Sequence, residues 1–458
     1  MKKNDDIELA ITSMTGEGVG IGRYDGMAVF VPQTAVGDTV LAHIIKVKKS
    51  YAVAKPIKVI APSKDRVEVD CPAFSRCGGC AFRHISYDAE LQVKYDGVKN
   101  AMKRIGRIDK APKEIIPSVD INYYRNKAQY PISYGENGIS YGFFAKHSHR
   151  VIECRNCLLQ PELFEQIMSA IKLWADRFGI LPYDEKSGTG VLRHVLIRGS
   201  EASKQIMVVP VINEDELPFA KELAEILKQS LGDLFYSLQY NVNKKDTNVI
   251  LGDKTVLVYG ADYISDDICG VTVKISAKSF YQVNKKMAEV LYSKAASYIK
   301  KDDRVIVDLF CGIGSIGLSM LSFLGEKDIK LYGVEIVEDA VKDAKNNALK
   351  GGFSNCEFIC ADATGAAAKL NEQGIAPQVV IVDPPRKGCD AQLIETIAKG
   401  FAPEKLIYIS CDPATLARDS KLLVENDYML KEYTAVDLFP RTAHVETVAL
   451  FVRTVSAI

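Results

Sequence analysis

The chain has 458 residues, 47% hydrophobic and 25% charged, which excludes a disordered or fibrous protein and leaves room for several domains of roughly 100–200 residues. Lys and Arg number 58, as do Asp and Glu, so overall charge offers no attraction to a polyanion and any nucleic-acid contact needs a local patch. The N-terminus MKKNDDIELA lacks the apolar core of a signal peptide, and no run of about eighteen apolar residues suggests a membrane span. The expectation is a cytoplasmic protein with no membrane association and no obligate protein partner. Its eleven cysteines are then reduced thiols, open to metal binding or catalysis.

Residues 1–62 read as short strands with Gly turns, expected to form a small OB-like β-barrel. Gly18, Gly20 and Gly22 mimic a phosphate loop, but no helix follows them, so a turn or bulge role is expected. From Lys46 to Arg66 the sequence has seven Lys or Arg against one acid, Asp65, with Tyr51 among them. Such an edge suits a phosphate backbone and stacked bases. Residues 63–265 read as a mixed α+β central domain with a helix near 91–106, and residues about 91–118 are expected to pack on the C-terminal domain. It opens with Cys71, Cys77 and Cys80, and Cys154 and Cys157 follow later. Spacing leaves two readings open. One is zinc on Cys77, Cys80, Cys154 and Cys157; the other is a [4Fe–4S] cluster on Cys71, Cys77, Cys80 and one later cysteine.

Residues 266–458 alternate apolar strands with helices, the pattern of a parallel sheet covered on both faces. VIVDLFCGIGSIGLSM reads as strand, Gly turn and helix. Glu335, Asp362 and Asp383 end or follow the next strands, at the carboxyl edge where open α/β sheets bind ligands. Glu335 is placed to accept ribose hydroxyls and Asp362 to reach an adenine. NAD is the second choice for this Gly turn; Asp308, Phe310 and Cys311 before the Gly pair resemble the first motif of class I S-adenosylmethionine-dependent methyltransferases, a Rossmann-like fold.

DPPRKG and SCDP fall on consecutive predicted strands, which brings Asp383 and Cys411 together. A thiolate beside a methyl donor suits a poor carbon nucleophile such as uracil C5. Addition of sulfur to C6 makes an enolate, and a base must later remove the C5 proton. Such chemistry needs a lowered thiol pKa or a nearby base. Glu446, between apolar neighbours in HVETV, is the candidate base. Cys269, Cys311, Cys356, Cys360 and Cys389 read as core residues, and His444 as structural.

SFYQVN (Ser279–Asn284), DLFCGIG, VDPPRKG, SCDPATLARD and HVETV, in this order, resemble the RNA uracil-5-methyltransferases. The resemblance implies that Cys411 is the nucleophile, Glu446 the base, and Asp383 a contact to the uracil. It implies that Gln282, Phe310, Ser315, Glu335, Asp362 and Asp383 bind S-adenosylmethionine; Ser315 stands where relatives often carry Asn. The N-terminal barrel is similar to a TRAM domain. YYRNKAQYPI resembles the central motif through which Arg125 and Lys127 approach RNA, with Phe280 holding the extruded base. The resemblance also favours the [4Fe–4S] reading, with Cys157 as fourth ligand and a structural or RNA-positioning role. A barrel joined to a cysteine cluster implies 23S ribosomal RNA as the partner. Transfer RNA is the close alternative, and an iron–sulfur redox protein a remote one.

Overall fold

The computed structural model describes residues 1–136, 138–325 and 328–454; the last four residues assigned to the C-terminal domain lie outside that range. Strands β1 (Asp6–Met14), β2 (Val19–Tyr24), β3 (Met27–Pro32), β4 (Thr39–Val47) and β5 (Tyr51–Ala61) close into a barrel in the order β1-β2-β3-β5-β4. Alternation makes its core: Ile7, Leu9 and Ile11 of β1 point inward to meet Val29, Val31 and Ile44. Only Gly18 serves a turn, with φ of 75°. Gly20 and Gly22 lie inside β2, where a Cβ would overlap Thr34 and Ile11, or the Ala10 carbonyl and Leu9. The triplet expected to be a turn or bulge is therefore mostly a close-packed wall. The basic edge also divides. Lys46, Lys48, Lys49, Lys55, Lys58, Lys64 and Tyr51 are exposed, but Arg66 is spent on buried Asp38 (Nε–Oδ1 3.1 Å).

Helix α1 (Tyr87–Arg104) is capped by Ser86, whose hydroxyl accepts the Ala89 N–H (3.3 Å). Its buried stripe is Glu90, Lys94, Val98 and Met102, at the spacing of one helical face. Lys94 Nζ donates to Glu90 (2.8 Å), Asp437 (2.6 Å) and the Phe439 carbonyl (3.2 Å). This interior ion network fixes α1 to the C-terminal domain. The next strand, β6 (Ile115–Ile116), joins the edge of that domain's sheet.

A seven-stranded sheet follows, from β7 (Lys127–Gly135), β8 (Gly138–Phe144), β9 (Val151–Glu153), β10 (Leu192–Gly199), β11 (Ile206–Ile212), β12 (Phe235–Val242) and β13 (Lys254–Gly260), in the order β13-β12-β11-β10-β7-β8-β9. Helices α2 (Glu162–Phe178) and α3 (Ala220–Leu231) pack on one face; α2 buries Phe164, Ile167, Ile171 and Trp174. The opposite face, with Leu196, Met207 and Val209, shares a core with the C-terminal domain. The hairpin of β14 (Tyr263–Ile268) and β15 (Val271–Ser276) belongs to the same core. The division expected at 265/266 cuts β14, so it does not mark a break in packing.

The remaining elements are α4 (Lys285–Ala296), β16 (Val305–Leu309), α5 (Ser315–Leu324), β17 (Lys330–Glu335), α6 (Glu338–Lys350), β18 (Cys356–Cys360), α7 (Ala363–Glu372), β19 (Val379–Val382), α8 (Ala391–Glu395), β20 (Lys405–Ser410), α9 (Pro413–Glu425), β21 (Tyr428–Val436) and β22 (Glu446–Arg453). They build an eight-stranded sheet ordered β18-β17-β16-β19-β20-β22-β21-β6. Every residue of β19 and β20 is buried, because helices cover both faces. The chain leaves β16 toward β17 and returns beside it as β19. The crevice at that reversal is where such sheets bind ligands. Among the described residues, no helix is long and apolar enough to cross a membrane.

Lys94→Ala leaves Glu90 and Asp437 without their shared cation. We expect a loss of about 3–5 kcal/mol of stability, measured by urea denaturation of the full chain.

Candidate active site

Strand pairing brings the reactive groups together. Ser410 of β20 lies opposite Thr447 of antiparallel β22. One residue further on each strand, Cys411 faces Glu446. In parallel β19, Val382 pairs with Tyr408, so Asp383 leaves the sheet at the same edge. Cys411 then precedes α9, whose cap Asp412 accepts the Ala414 and Thr415 N–H groups (2.8 and 3.0 Å).

A second tie holds the DPPRKG loop to α9. Buried Asp419 accepts the Cys389 N–H (2.8 Å) and the Tyr408 hydroxyl (2.7 Å). Arg418 donates to Asp419 (2.7 Å) and to the carbonyls of Lys387 (2.8 Å) and Cys389 (3.2 Å). Gly388 has φ of 76°, and a Cβ there would run into both side chains at 2.5 Å. The LARD and DPPRKG motifs are thus two halves of one clamp.

The site is rich in carboxyl groups that resist ionisation. Burial, followed by the charge of Asp383, raises Glu446 to about 8, against the attraction of Arg386. Burial raises Asp383 to about 7, and burial with Asp383 beside it raises Asp308 to about 8. The Cys411 thiol is pushed up to about 11 by burial and by the charges of Glu446 and Asp383, with Arg386 opposing. The chemistry expected a lowered thiol pKa or a nearby base; the thiol lies above its ordinary value, and Glu446 stands beside it.

At the crevice, Glu335 accepts backbone N–H groups from Gly312 (3.1 Å) and Val337 (2.9 Å), one on each oxygen. Buried Asp308 accepts the Gly317 N–H (3.2 Å), and its Oδ1 has no partner. Phe310 turns the chain with φ of 72°. The Ser315 hydroxyl meets the buried Tyr292 phenol. Gln282 is buried, whereas Asp362 is exposed and caps α7 through the Gly365 N–H (2.8 Å). The unpartnered oxygen of Asp308 and the Glu335 carboxylate beside it fit a cationic ligand bearing a ribose, as S-adenosylmethionine is. Ile336, 67% exposed directly after Glu335, offers an apolar surface at the crevice, which no sequence motif had marked.

Phe280 is 70% exposed in the loop between β15 and α4. Two residues unmarked in sequence hold that loop: buried Arg198 donates to the carbonyls of Ser279 and Ala277, and the Asn126 side chain to that of Gln282 (2.9 Å). Lys127 lies opposite Arg198 in the sheet. Burial, then Arg198 and Arg125, pull its pKa down to about 8. Arg125 has a buried Nε without a partner, and with Arg386 it holds down the pKa of His444, after burial.

The cysteines expected as ligands gather in one place, with Cys154 among them. Cys154 hydrogen-bonds both Cys71 and Cys157, and Cys77 and Cys80 lie within electrostatic reach of Cys157. Thiols at one place suit a soft metal. Among the described residues, however, no three Cys, His, Asp or Glu side chains converge where an ion could sit. Buried Cys154 stands between two of the four expected ligands. Of the cysteines read as core, Cys311 and Cys389 are buried, Cys269 and Cys356 half-buried, and Cys360 exposed.

A ligand crevice at the β16 reversal, joined to a basic barrel, is the architecture of an S-adenosylmethionine-dependent RNA methyltransferase. Known proteins agree. The family model for tRNA (uracil-5-)-methyltransferase matches residues 215–454, and that for the TRAM domain residues 3–57. An uncharacterized RNA methyltransferase of Halalkalibacterium halodurans is 40% identical, covering 98% of this chain and 97% of the relative. One from Clostridium tetani is 41% identical with the same coverage. The crystal structure of the Pyrococcus abyssi tRNA (uracil-54, C5)-methyltransferase with S-adenosyl-L-homocysteine matches with a TM-score of 0.78 and 26% identity, over 97% of this chain and 99% of that one. The chain belongs to the tRNA (uracil-5-)-methyltransferase family.

Glu446 has an ordinary pKa of 4.5 when unfolded and about 8 when folded. Its ionisation therefore favours unfolding. The folded-state advantage of the neutral acid is intact below about pH 4 and lost as pH rises through 8. Glu446→Gln removes that loss. Relative to wild type, the variant should gain roughly 3–5 kcal/mol between pH 4 and pH 9, read from denaturation curves at the two pH values.

Proposed function

We propose that the protein methylates uracil C5 in 23S ribosomal RNA through a covalent bond between Cys411 Sγ and C6. The observation that carries this reading is the β20–β22 register, which sets Cys411 against Glu446 with Asp383 and Arg386 alongside. S-adenosylmethionine would supply the methyl group; Gln282, Phe310, Ser315, Glu335, Asp362 and Asp383 would hold it, and exposed Ile336 would add an apolar surface.

Asp383 titrates near neutrality, so it is partly ionised and positioned to hydrogen-bond the uracil edge or take the thiol proton. Sulfur adds to C6, and the C5=C6 electrons move to C5 and its carbonyl. Once the methyl group has passed to C5, with S-adenosylhomocysteine as the leaving group, Glu446 removes the C5 proton. The Sγ–C6 bond then breaks, restoring the aromatic-like ring and the thiolate. Arg125 and Lys127 approach the RNA, and Phe280 holds the extruded base. The exposed lysines around Tyr51 give the barrel its RNA surface. The chain works in the cytoplasm.

The ribosomal reading rests on the pairing of barrel and cysteine segment. Transfer RNA is the second reading, supported by the Pyrococcus abyssi relative, which is named for that substrate. Mass mapping of 5-methyluridine in ribosomal and transfer RNA, with and without the gene, separates them. A [4Fe–4S] cluster on Cys71, Cys77, Cys80 and Cys157 is part of the proposal, supported by the gathered thiols, and no step runs through it. Anaerobically purified protein should contain iron and acid-labile sulfide; stoichiometric zinc instead would assign the site to zinc.

With RNA containing 5-fluorouridine, wild type should form a denaturation-resistant complex and Cys411→Ala none. Glu446→Gln should accumulate the adduct on ordinary RNA, with turnover lowered about 10²–10⁴-fold. Wild-type turnover should climb with pH toward 8 as Glu446 ionises. Equal trapping by Cys411→Ala would remove the thiol from the mechanism.

A further inference from the structure

We infer that the central sheet carries a second nucleotide site, which takes an unstacked base of the same RNA substrate away from the reacting uracil. The inference rests on the reading of RNA as substrate, though not on which uridine is methylated.

A cavity of about 670 Å³ opens between the ends of β7 and β10, the turn at 148–151 and the loop at 183–186. Its walls are rings. Phe144 and His149 stack with centroids 5.4 Å apart and planes 26° apart. His194 meets Phe144 edge-on at 6.2 Å. Tyr134 is 58% exposed, and the Arg193 guanidinium covers Tyr183 at 4.4 Å. Rings at the mouth of a cavity stack an unpaired base whatever its identity.

The polar groups fit the same ligand. Both ring nitrogens of His194 are buried and lack a partner. Burial pulls this imidazole down to about 4, so the neutral ring offers one donor and one acceptor to a base edge. Arg150 is exposed, as suits a phosphate at the rim. The acids there are engaged: Glu185 pairs with His149 (3.0 Å), and Asp184 accepts the Lys186 N–H (2.7 Å).

Position links the cavity to the reaction. Across β7 and β10, Lys127 pairs with Arg198, Gln129 with Leu196, and Pro131 with His194. Alternate residues share a face, and this is the face on which Arg198 grips the Phe280 loop. The cavity lies roughly 13 Å along β7 from Lys127, at about 3.3 Å per residue. RNA that passes Lys127 has only a few nucleotides to cross before reaching it. The site would then read the spacing between the target and a second unpaired base.

The test uses full-length Cys411→Ala protein, which binds without turnover, and ribosomal plus transfer RNA from cells lacking the gene. Adding Phe144→Leu should weaken RNA binding about tenfold, leaving S-adenosylmethionine affinity and melting temperature unchanged. Should that variant fail to fold, His149→Ala, at an exposed ring, decides instead. In the Cys411 background, kcat is set aside; with Cys411 restored, the same substitution should raise KM for RNA and spare kcat. Unchanged RNA affinity overturns the second site. Loss of affinity without any uracil methylation by wild type would keep the site and sink the proposed reaction; methylation with unchanged affinity would do the reverse.

Discussion

Strand β22 enters the C-terminal sheet antiparallel between β20 and β21, with Ser410 opposite Thr447. Because side chains on paired strands align, a slip of one residue would turn Glu446 to the wrong face. The register therefore positions the acid and the thiol together, from segments that a helix and a strand separate in sequence. The clamp of Arg418 and Asp419 on the 387–389 loop then fixes Asp383 and Arg386 relative to that pair. Backbone pairing does the coarse placement and two charged side chains the fine placement.

That placement puts Asp308, Asp383 and Glu446 in one low-dielectric crevice, and neutral forms are favoured there. Burial and the neighbouring acids push the Cys411 thiol up as well. A cationic ligand would reverse the balance by favouring every negative form at once. Arg386 already does so in part from the rim.

Much of the site was legible because it sits on strand ends. Asp308, Glu335, Asp383, Cys411 and Glu446 each follow or open an apolar run whose period marks a buried strand. Arg198 and Asn126 left no such mark: their role is to hold carbonyls about 80 and 156 residues away, which local pattern does not encode. Arg66 misled for the opposite reason, since composition counts a cation without knowing that Asp38 consumes it. Gly20 and Gly22 read as turn residues because packing against Thr34 and Leu9 is invisible in a motif. The cysteine spacing gave neighbours correctly as a group but not which thiol stands between which, because that depends on how β9 and the 71–80 loop meet.

Lys94 joins Asp437 across 343 residues of sequence. During synthesis, α1 leaves the ribosome long before the strands that neutralise its buried cation and cover Val98 and Met102. Until then its stripe stands uncovered, with Val98 and Met102 beside a Glu90–Lys94 pair that lacks its second acid. Completion of the C-terminal sheet thus closes the chain on itself: the last strands to be made secure one of the first helices. The C-terminal methyltransferase unit is, in this sense, a joint product of both ends of the gene. A fragment beginning at 266 would lack the helix that covers one of its two cores and the short strand that borders β21.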